Sequence, residues 1–188
     1  MKDILKGQLV RLAALDPEEI SKHFAEWNRD SEYKRLADLG TPRLNSVKAV
    51  KEWLEKALEK MGDSMYWFSI RSLEDDRLLG DINLDVVNWN NRDSFVGIGI
   101  GARDYWGRGY GTDAMSLALR YAFTELNLYR VTLDVFEYNQ RAIRSYEKAG
   151  FQLEGRQRGV ILREGRRWDV LYMGILCEEW RKQNGYVN

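Results

Sequence analysis

Apolar residues recur along this chain with two periods, about 3.6 and 2 residues, and the switches between them outline helices alternating with strands. Behind Ser46, a good helix cap, Val47, Val50, Trp53, Leu54, Ala57, Leu58 and Met61 fall at helical spacing. Asp16-Pro17-Glu18-Glu19 sets a cap, a helix-starting proline and a capping-box glutamate in order, and predicts a helix to about Trp27. Strands are expected at Gln8 to Ala13, Tyr66 to Ser72, Leu78 to Val87, Ser94 to Gly101, Arg130 to Phe136, Gln152 to Leu162 and Trp168 to Leu176. Glu74-Asp75-Asp76 would turn the hairpin between the second and third. Tyr33 to Leu44 reads as a loop or a broken helix over a substrate entrance. A helix from Gly109 to Leu126 joins the strands at 94–101 and 130–136, so these two should be parallel and adjacent in an otherwise largely antiparallel sheet.

The chemistry concentrates where the fourth strand runs into that helix, at Gly97-Ile-Gly-Ile-Gly-Ala-Arg-Asp-Tyr-Trp-Gly-Arg-Gly-Tyr-Gly-Thr112. Gly107, Gly109 and Gly111 let the main chain curl with its N–H groups inward, at a helix start whose dipole favours an anion. Arg108 adds a positive charge. A triphosphatase loop would need Lys-Ser/Thr after its last glycine, and a dinucleotide loop would need Gly-x-Gly-x-x-Gly; neither spacing is present. The alternate glycines of Val96 to Gly101 suggest a bulge or the close approach of another group.

Further on, Asn139-Gln-Arg-Ala-Ile-Arg-Ser-Tyr-Glu-Lys-Ala-Gly-Phe151 reads as a short helix capped by Asn139 and stopped at Gly150. Asn139 and Tyr146, seven positions apart, share one face of it, and the small Ala142 between them leaves room along that face.

This pair of segments, with the closing Gly165-Arg-Arg-Trp-Asp-Val-Leu-Tyr-Met173, resembles the GNAT superfamily of acyl-coenzyme A dependent N-acetyltransferases, and within it the RimJ/RimL-like branch. The resemblance runs from the opening strand to Trp180. It implies an α+β fold: a mixed, mostly antiparallel sheet with one splayed parallel strand pair and helices on both faces. It also implies acetyl-coenzyme A as co-substrate, held by Trp106, Gly107, Arg108, Gly109, Tyr110, Gly111 and Thr112 and by the strand segment Ile98, Gly99 and Ile100. Asn139 and Tyr146 would complete that site. The reaction implied is direct attack of an amine on the thioester, with amides near Ile98 to Ile100 on the oxyanion, Tyr146 as acid for the leaving thiolate, and Asn139 orienting the arm or a water. Members of the branch often carry a glutamate where this chain has Phe95. The carboxylates left at or near strand ends are Asp81, Asp85, Glu137 and Asp169. An α-amino group titrates near 8 and a lysine near 10.4, so deprotonating the latter costs about 3 kcal/mol more; a protein or peptide amino terminus, such as a ribosomal one, is the favoured acceptor. Polyamines, small metabolites and antibiotics are the alternatives, as is a catalytically silent acyl-coenzyme A sensor.

The 188 residues, 44% hydrophobic and 12% aromatic, suit one domain spanning 1–188. The opening residues lack a signal peptide's apolar core and no run matches a membrane span, so a cytoplasmic protein is expected. Cys177 is the sole cysteine, in what reads as an apolar strand, and His23 the sole histidine, so neither a disulfide nor a metal site is expected. Twenty-nine basic against twenty-nine acidic residues give no field for nucleic acid. Arg156, Arg158, Arg163, Arg166 and Arg167 alternate with Glu154, Glu164 and Asp169 and read as a solvated hairpin rather than an RNA stripe. Trp89 and Trp168 suggest a flat wall beside the acceptor. Monomer and homodimer both stay open.

Overall fold

The computed structural model describes residues 3–186. In chain order the elements are β1 (Val10–Ala14), α1 (Pro17–Trp27), α2 (Ser31–Ala37), α3 (Val47–Lys60), β2 (Met65–Ser72), β3 (Leu78–Asn88), β4 (Asp93–Ile100), α4 (Tyr110–Thr124), β5 (Arg130–Phe136), α5 (Gln140–Ala149), β6 (Gln152–Arg163), β7 (Arg166–Leu176) and α6 (Cys177–Gln183). The strands form one sheet in the order β1-β2-β3-β4-β5-β7-β6, in which only β4 and β5 are parallel neighbours.

That parallel pair is short. Asp93, Ser94 and Phe95 pair with Arg130, Val131 and Thr132, after which β4 continues along β3 as far as Ile100, and β5 along β7 as far as Phe136. The two strands therefore separate beyond Phe95, and a gap opens in the middle of the sheet.

Each face of the sheet carries its own helices. On one, Ala114, Met115, Ala118, Ala122 and Phe123 of α4 bury against Ile82, Leu84, Val96 and Leu133. On the other, Ile20, Ala25, Trp27, Val50 and Leu54 of α1 and α3 pack over Leu78. Full burial of side chains such as Leu54 and Phe123 stabilises by about 1.5–3 kcal/mol each. The carboxylate of Asp113, in the first turn of α4, accepts the amides of Gln8, Leu9 and Val10 at 2.8–3.2 Å and so docks the opening strand onto the helix start. Among the described residues no helix is long and apolar enough to cross a membrane.

One local expectation is made specific and two change. The segment read as a loop or broken helix begins with α2, because the Asp30 side chain accepts the amides of Glu32 and Tyr33 and caps it. Cys177 is not in a strand but opens α6, a helix of seven residues, too short for its period to stand out from the alternation of β7. There Glu179 accepts the Leu176 amide, while Trp180 buries beside Phe123. The irregularity of the β3–β4 ladder lies between Val86 and Asn88 and not at the glycines, which answer instead to the close approach of other groups.

Candidate active site

The gap between β4 and β5 opens into a cleft of about 280 Å³. One wall is the glycine turn: Gly107, Gly109, Gly111 and Thr112 line it. Gly109 caps α4 with φ of 93°, a left-handed conformation in which a side chain would be strained. The first bond inside the helix runs from the Asp113 amide to the Gly109 carbonyl at 2.9 Å, so helix geometry leaves the amides of Tyr110, Gly111 and Thr112 without intrahelical partners. A phosphate placed there would meet N–H donors and the positive end of the helix dipole. Trp106 lines the same wall, its indole donating to the Ile100 carbonyl at 2.6 Å, with the guanidiniums of Arg103 and Arg141 lying 4.6 and 3.8 Å from its ring centre.

Two residues of the turn are absent from the wall. Arg108 folds back to donate to the Asp104 carbonyl and lies over the rings of Tyr105 and Tyr110, while Tyr110 is buried edge-on against Tyr105. Cations reach the cleft from α5 instead, as Arg141, Arg144 and Lys148. Their three- and four-residue spacing places them on one helix face, a signal present in the sequence but not read there.

Ile98, Gly99 and Ile100 form the cleft floor. A Cβ on Gly80 would stand only 1.9 Å from the Gly99 carbonyl oxygen, so that carbonyl points toward β3. Alternation along the strand then turns the main-chain groups of Ile98 and Ile100 toward the gap. These are the two whose amides a ligand in the gap can meet.

From α5, Asn139, Ala142, Ser145 and Tyr146 face the floor. Burial pushes the Tyr146 phenol well above its ordinary value, and the nearby Asp134 carboxylate pushes it in the same direction. Asp134, on β5, was not among the carboxylates singled out from the sequence, because it sits in mid-strand; only the splayed strands bring it near Tyr146. Both polar atoms of Asn139 are engaged. Its Oδ1 accepts the Ala142 amide at 3.2 Å, capping α5, and its Nδ2 donates to the Leu36 carbonyl of α2 at 3.3 Å.

That second bond belongs to a set holding α2 over the cleft, where Tyr33, Leu36 and Ala37 form a roof. Tyr138 donates to the Arg35 carbonyl at 2.6 Å, Arg35 pairs with Glu164, and Arg163 donates to the carbonyls of Asp38, Leu39 and Gly40 at 3.0–3.1 Å. At the other end of α2, Arg103 binds Asp30 and Glu32. The arginines of the β6–β7 hairpin thus serve contacts within the chain, Arg163 and Arg156 above all.

On the sheet face under α2, alternation sets Phe95, Gly97 and Gly99 of β4 beside Asp85, Asn83 and Asp81 of β3, with Thr132 and Asp134 of β5 across the gap. A Cβ on Gly99 would stand 2.8 Å from the Tyr33 hydroxyl and 3.5 Å from Asp81 Oδ1, so these groups occupy the space the glycine leaves. Trp67 donates its indole N–H to Asp81 Oδ2 at 2.8 Å. Burial pushes the Asp81 carboxyl up to about 6, and the indole bond opposes part of that rise.

The other two carboxylates considered from sequence are engaged elsewhere. Arg156 bridges Glu137 and Asp169 at 2.8 and 2.6 Å, and Asp169 also accepts the Gly159 amide, which with Arg156 holds its carboxyl below the usual range. Trp89 and Trp168 do not form one wall. Trp89 lies in the β3–β4 turn, near the end of the sheet where Asp93 meets Arg130, whereas Trp168 packs on Tyr138 beyond the Phe136–Val170 pair at the other end.

Comparison with known proteins agrees with this geometry. Residues 10–152 match the acetyltransferase (GNAT) domain family. The chain is 28% identical over 180 residues to the SPbeta prophage-derived uncharacterized N-acetyltransferase YokL of Bacillus subtilis, covering 95% of this chain and 96% of that one. It is 37% identical over 130 residues to the probable N-acetyltransferase YjcK of Bacillus subtilis, covering 69% and 70%. Among solved structures, the spermidine N-acetyltransferase from Vibrio cholerae in complex with CoA and spermine superposes with a TM-score of 0.79 at 26% identity, covering 91% of this chain and 97% of that one.

Proposed function

The chain belongs to the GNAT acetyltransferase family and is an acetyl-CoA-dependent N-acetyltransferase, and from that premise we propose that it acetylates a primary amine of a small, multiply charged molecule of the polyamine class. The observation that carries this reading is the row of carboxylates, Asp81, Asp85 and Asp134, on the sheet face beside Gly99. Asp81 and Asp85 are four residues apart on one strand, roughly 13 Å, which is comparable to the length of a triamine. A molecule with cationic nitrogens at that spacing meets a carboxylate at each end, and a peptide amino terminus has no second charge to match. The likeness to a spermidine N-acetyltransferase adds support.

The RimJ/RimL-like reading favours a protein amino terminus instead, on the lower pKa of an α-amine. A panel of acceptors measured by thiol release decides between them. The polyamine reading expects kcat/KM for spermidine to exceed that for peptides with free amino termini by tenfold or more, and the reverse order would sink it.

In this reading coenzyme A enters the gap, its phosphates on the turn from Gly107 to Thr112, and brings the thioester that supplies the acetyl group. The amides of Ile98 and Ile100 are donors for the oxygen that gains charge. Tyr146, half-buried and near a carboxylate, holds its proton at neutral pH and gives it to the departing sulfur. Asn139 joins α5 to the roof through one bond on each polar atom, and its second N–H and second lone pair are what it has to offer the arm or a water.

A further inference from the structure

We propose that Asp81 takes the proton from the acceptor ammonium, replacing from β3 the base that Phe95 does not supply from β4. The inference rests on the acetyl-transfer reading above and concerns the one step that reading leaves without a residue.

Three features single out Asp81. Its partner in the β3–β4 register is Gly99, the residue between the two whose amides face the gap. Its Oδ1 lies 3.5 Å from the point a Gly99 Cβ would occupy and the Tyr33 hydroxyl 2.8 Å from it, so a nitrogen that takes the place of that hydroxyl over the glycine comes within reach of the carboxylate. Its Oδ2 is held by the Trp67 indole, which fixes the carboxylate plane. The groups around it do not compete for the proton. β2 offers Trp67, β4 offers Gly99, and α1 and α3 pack on Trp67 with apolar side chains. From α2 comes the Tyr33 phenol, which burial and the Asp81 charge both push upward, so it stays protonated. The other charges on this face are Asp85 on the same strand, Asp93 of β4, Arg130 and Asp134 of β5, and Arg71 of β2, which pairs with Glu19 of α1. With its carboxyl near 6, Asp81 is ionised at neutral pH and is a stronger base than a free carboxylate.

The step balances. One proton of the ammonium passes to Asp81, and the freed nitrogen lone pair forms the C–N bond to the thioester carbon. The C–S bond breaks with its electron pair on sulfur, which takes the Tyr146 proton, and the second nitrogen proton returns to Tyr146. Asp81 then releases its proton to water, giving amide, free thiol and one proton.

The test is the pH profile of kcat/KM for wild type, Asp81→Asn, Trp67→Phe and Asp134→Asn, with coenzyme A binding measured by calorimetry on each. The wild-type profile should rise through about pH 6. Asp81→Asn should lose that limb and about 10²-fold in rate while binding coenzyme A as before. Trp67→Phe removes the bond that lowers the Asp81 pKa, so the limb should move to higher pH, a shift that loss of packing alone does not produce. An unchanged limb in Asp81→Asn overturns the proposal, as does its disappearance in Asp134→Asn alone. A wild-type protein that binds coenzyme A but acetylates no amine overturns the transfer reading itself.

Discussion

The hydroxyls of Thr112 and Ser145 lie 2.7 Å apart and join the first turn of α4 to the middle of α5. The bond sets the distance between the turn proposed to hold phosphate and the helix that carries Tyr146. Replacing Ser145 with Ala should cost about 1 kcal/mol of stability. It should raise the KM for acetyl-coenzyme A severalfold with kcat little changed, as read by chemical denaturation and steady-state kinetics.

Saturating acetyl-coenzyme A, at a hundred times its dissociation constant, should stabilise the fold by about 2.7 kcal/mol and raise its melting temperature by roughly 5–10 °C. A Cβ on Gly111 would meet Ile100 at an ordinary 3.6 Å, so a larger side chain there fits the fold while crowding the cleft. Gly111→Val should therefore melt near the wild type without ligand and lose most of the ligand-induced shift.

Tyr146→Phe removes only the phenolic oxygen. Its kcat should fall by about 10²-fold with coenzyme A affinity nearly unchanged. Because burial and Asp134 raise the Tyr146 pKa, the wild-type rate should show no alkaline limb from this group up to at least pH 9. A silent acyl-coenzyme A sensor would show no turnover in either protein.

Asp81 makes the fold less stable at neutral pH. Its pKa is about 6 folded and near 3.8 unfolded, so the unfolded state is favoured as pH rises from about 4 through 6, where the folded carboxyl still holds its proton. The cost is complete above pH 6, at most about 3 kcal/mol. Asp81→Asn avoids it and can still accept the Trp67 N–H. It should melt about 5 °C higher than wild type at pH 7.5, and the gap should close near pH 4.

Arg163 holds three consecutive carbonyls beyond α2 through its Nη2 alone, tying the β6–β7 hairpin to the segment that follows the roof. Arg163→Ala removes these bonds and should loosen the roof over the cleft. The expected result is a higher acceptor KM and faster amide exchange in α2, with the melting temperature within a few degrees of wild type.

Much of this protein was legible along the chain, because its signals are local. Caps at Asp16, Ser46 and Asn139, the stop at Gly150 and the alternation of the strands depend on neighbours within a turn or a hairpin, and the glycine turn and the 139–151 helix carry the family resemblance. Connectivity alone also implied the parallel β4–β5 pair. Side-chain direction and pairing across long separations were not legible. Arg108 turns out of the cleft while Arg141, Arg144 and Lys148 turn in, Asn139 joins Leu36, and Arg163 joins residues 38–40. Glu137 and Asp169 are claimed by Arg156, and Asp81 is enclosed beside Gly99. The spacing of residues determined which elements form and in what order. Which carboxylate is enclosed and which is neutralised by an arginine was decided only when the sheet and α2 brought distant segments together, since desolvation and charge pairing depend on distance in space and not along the chain.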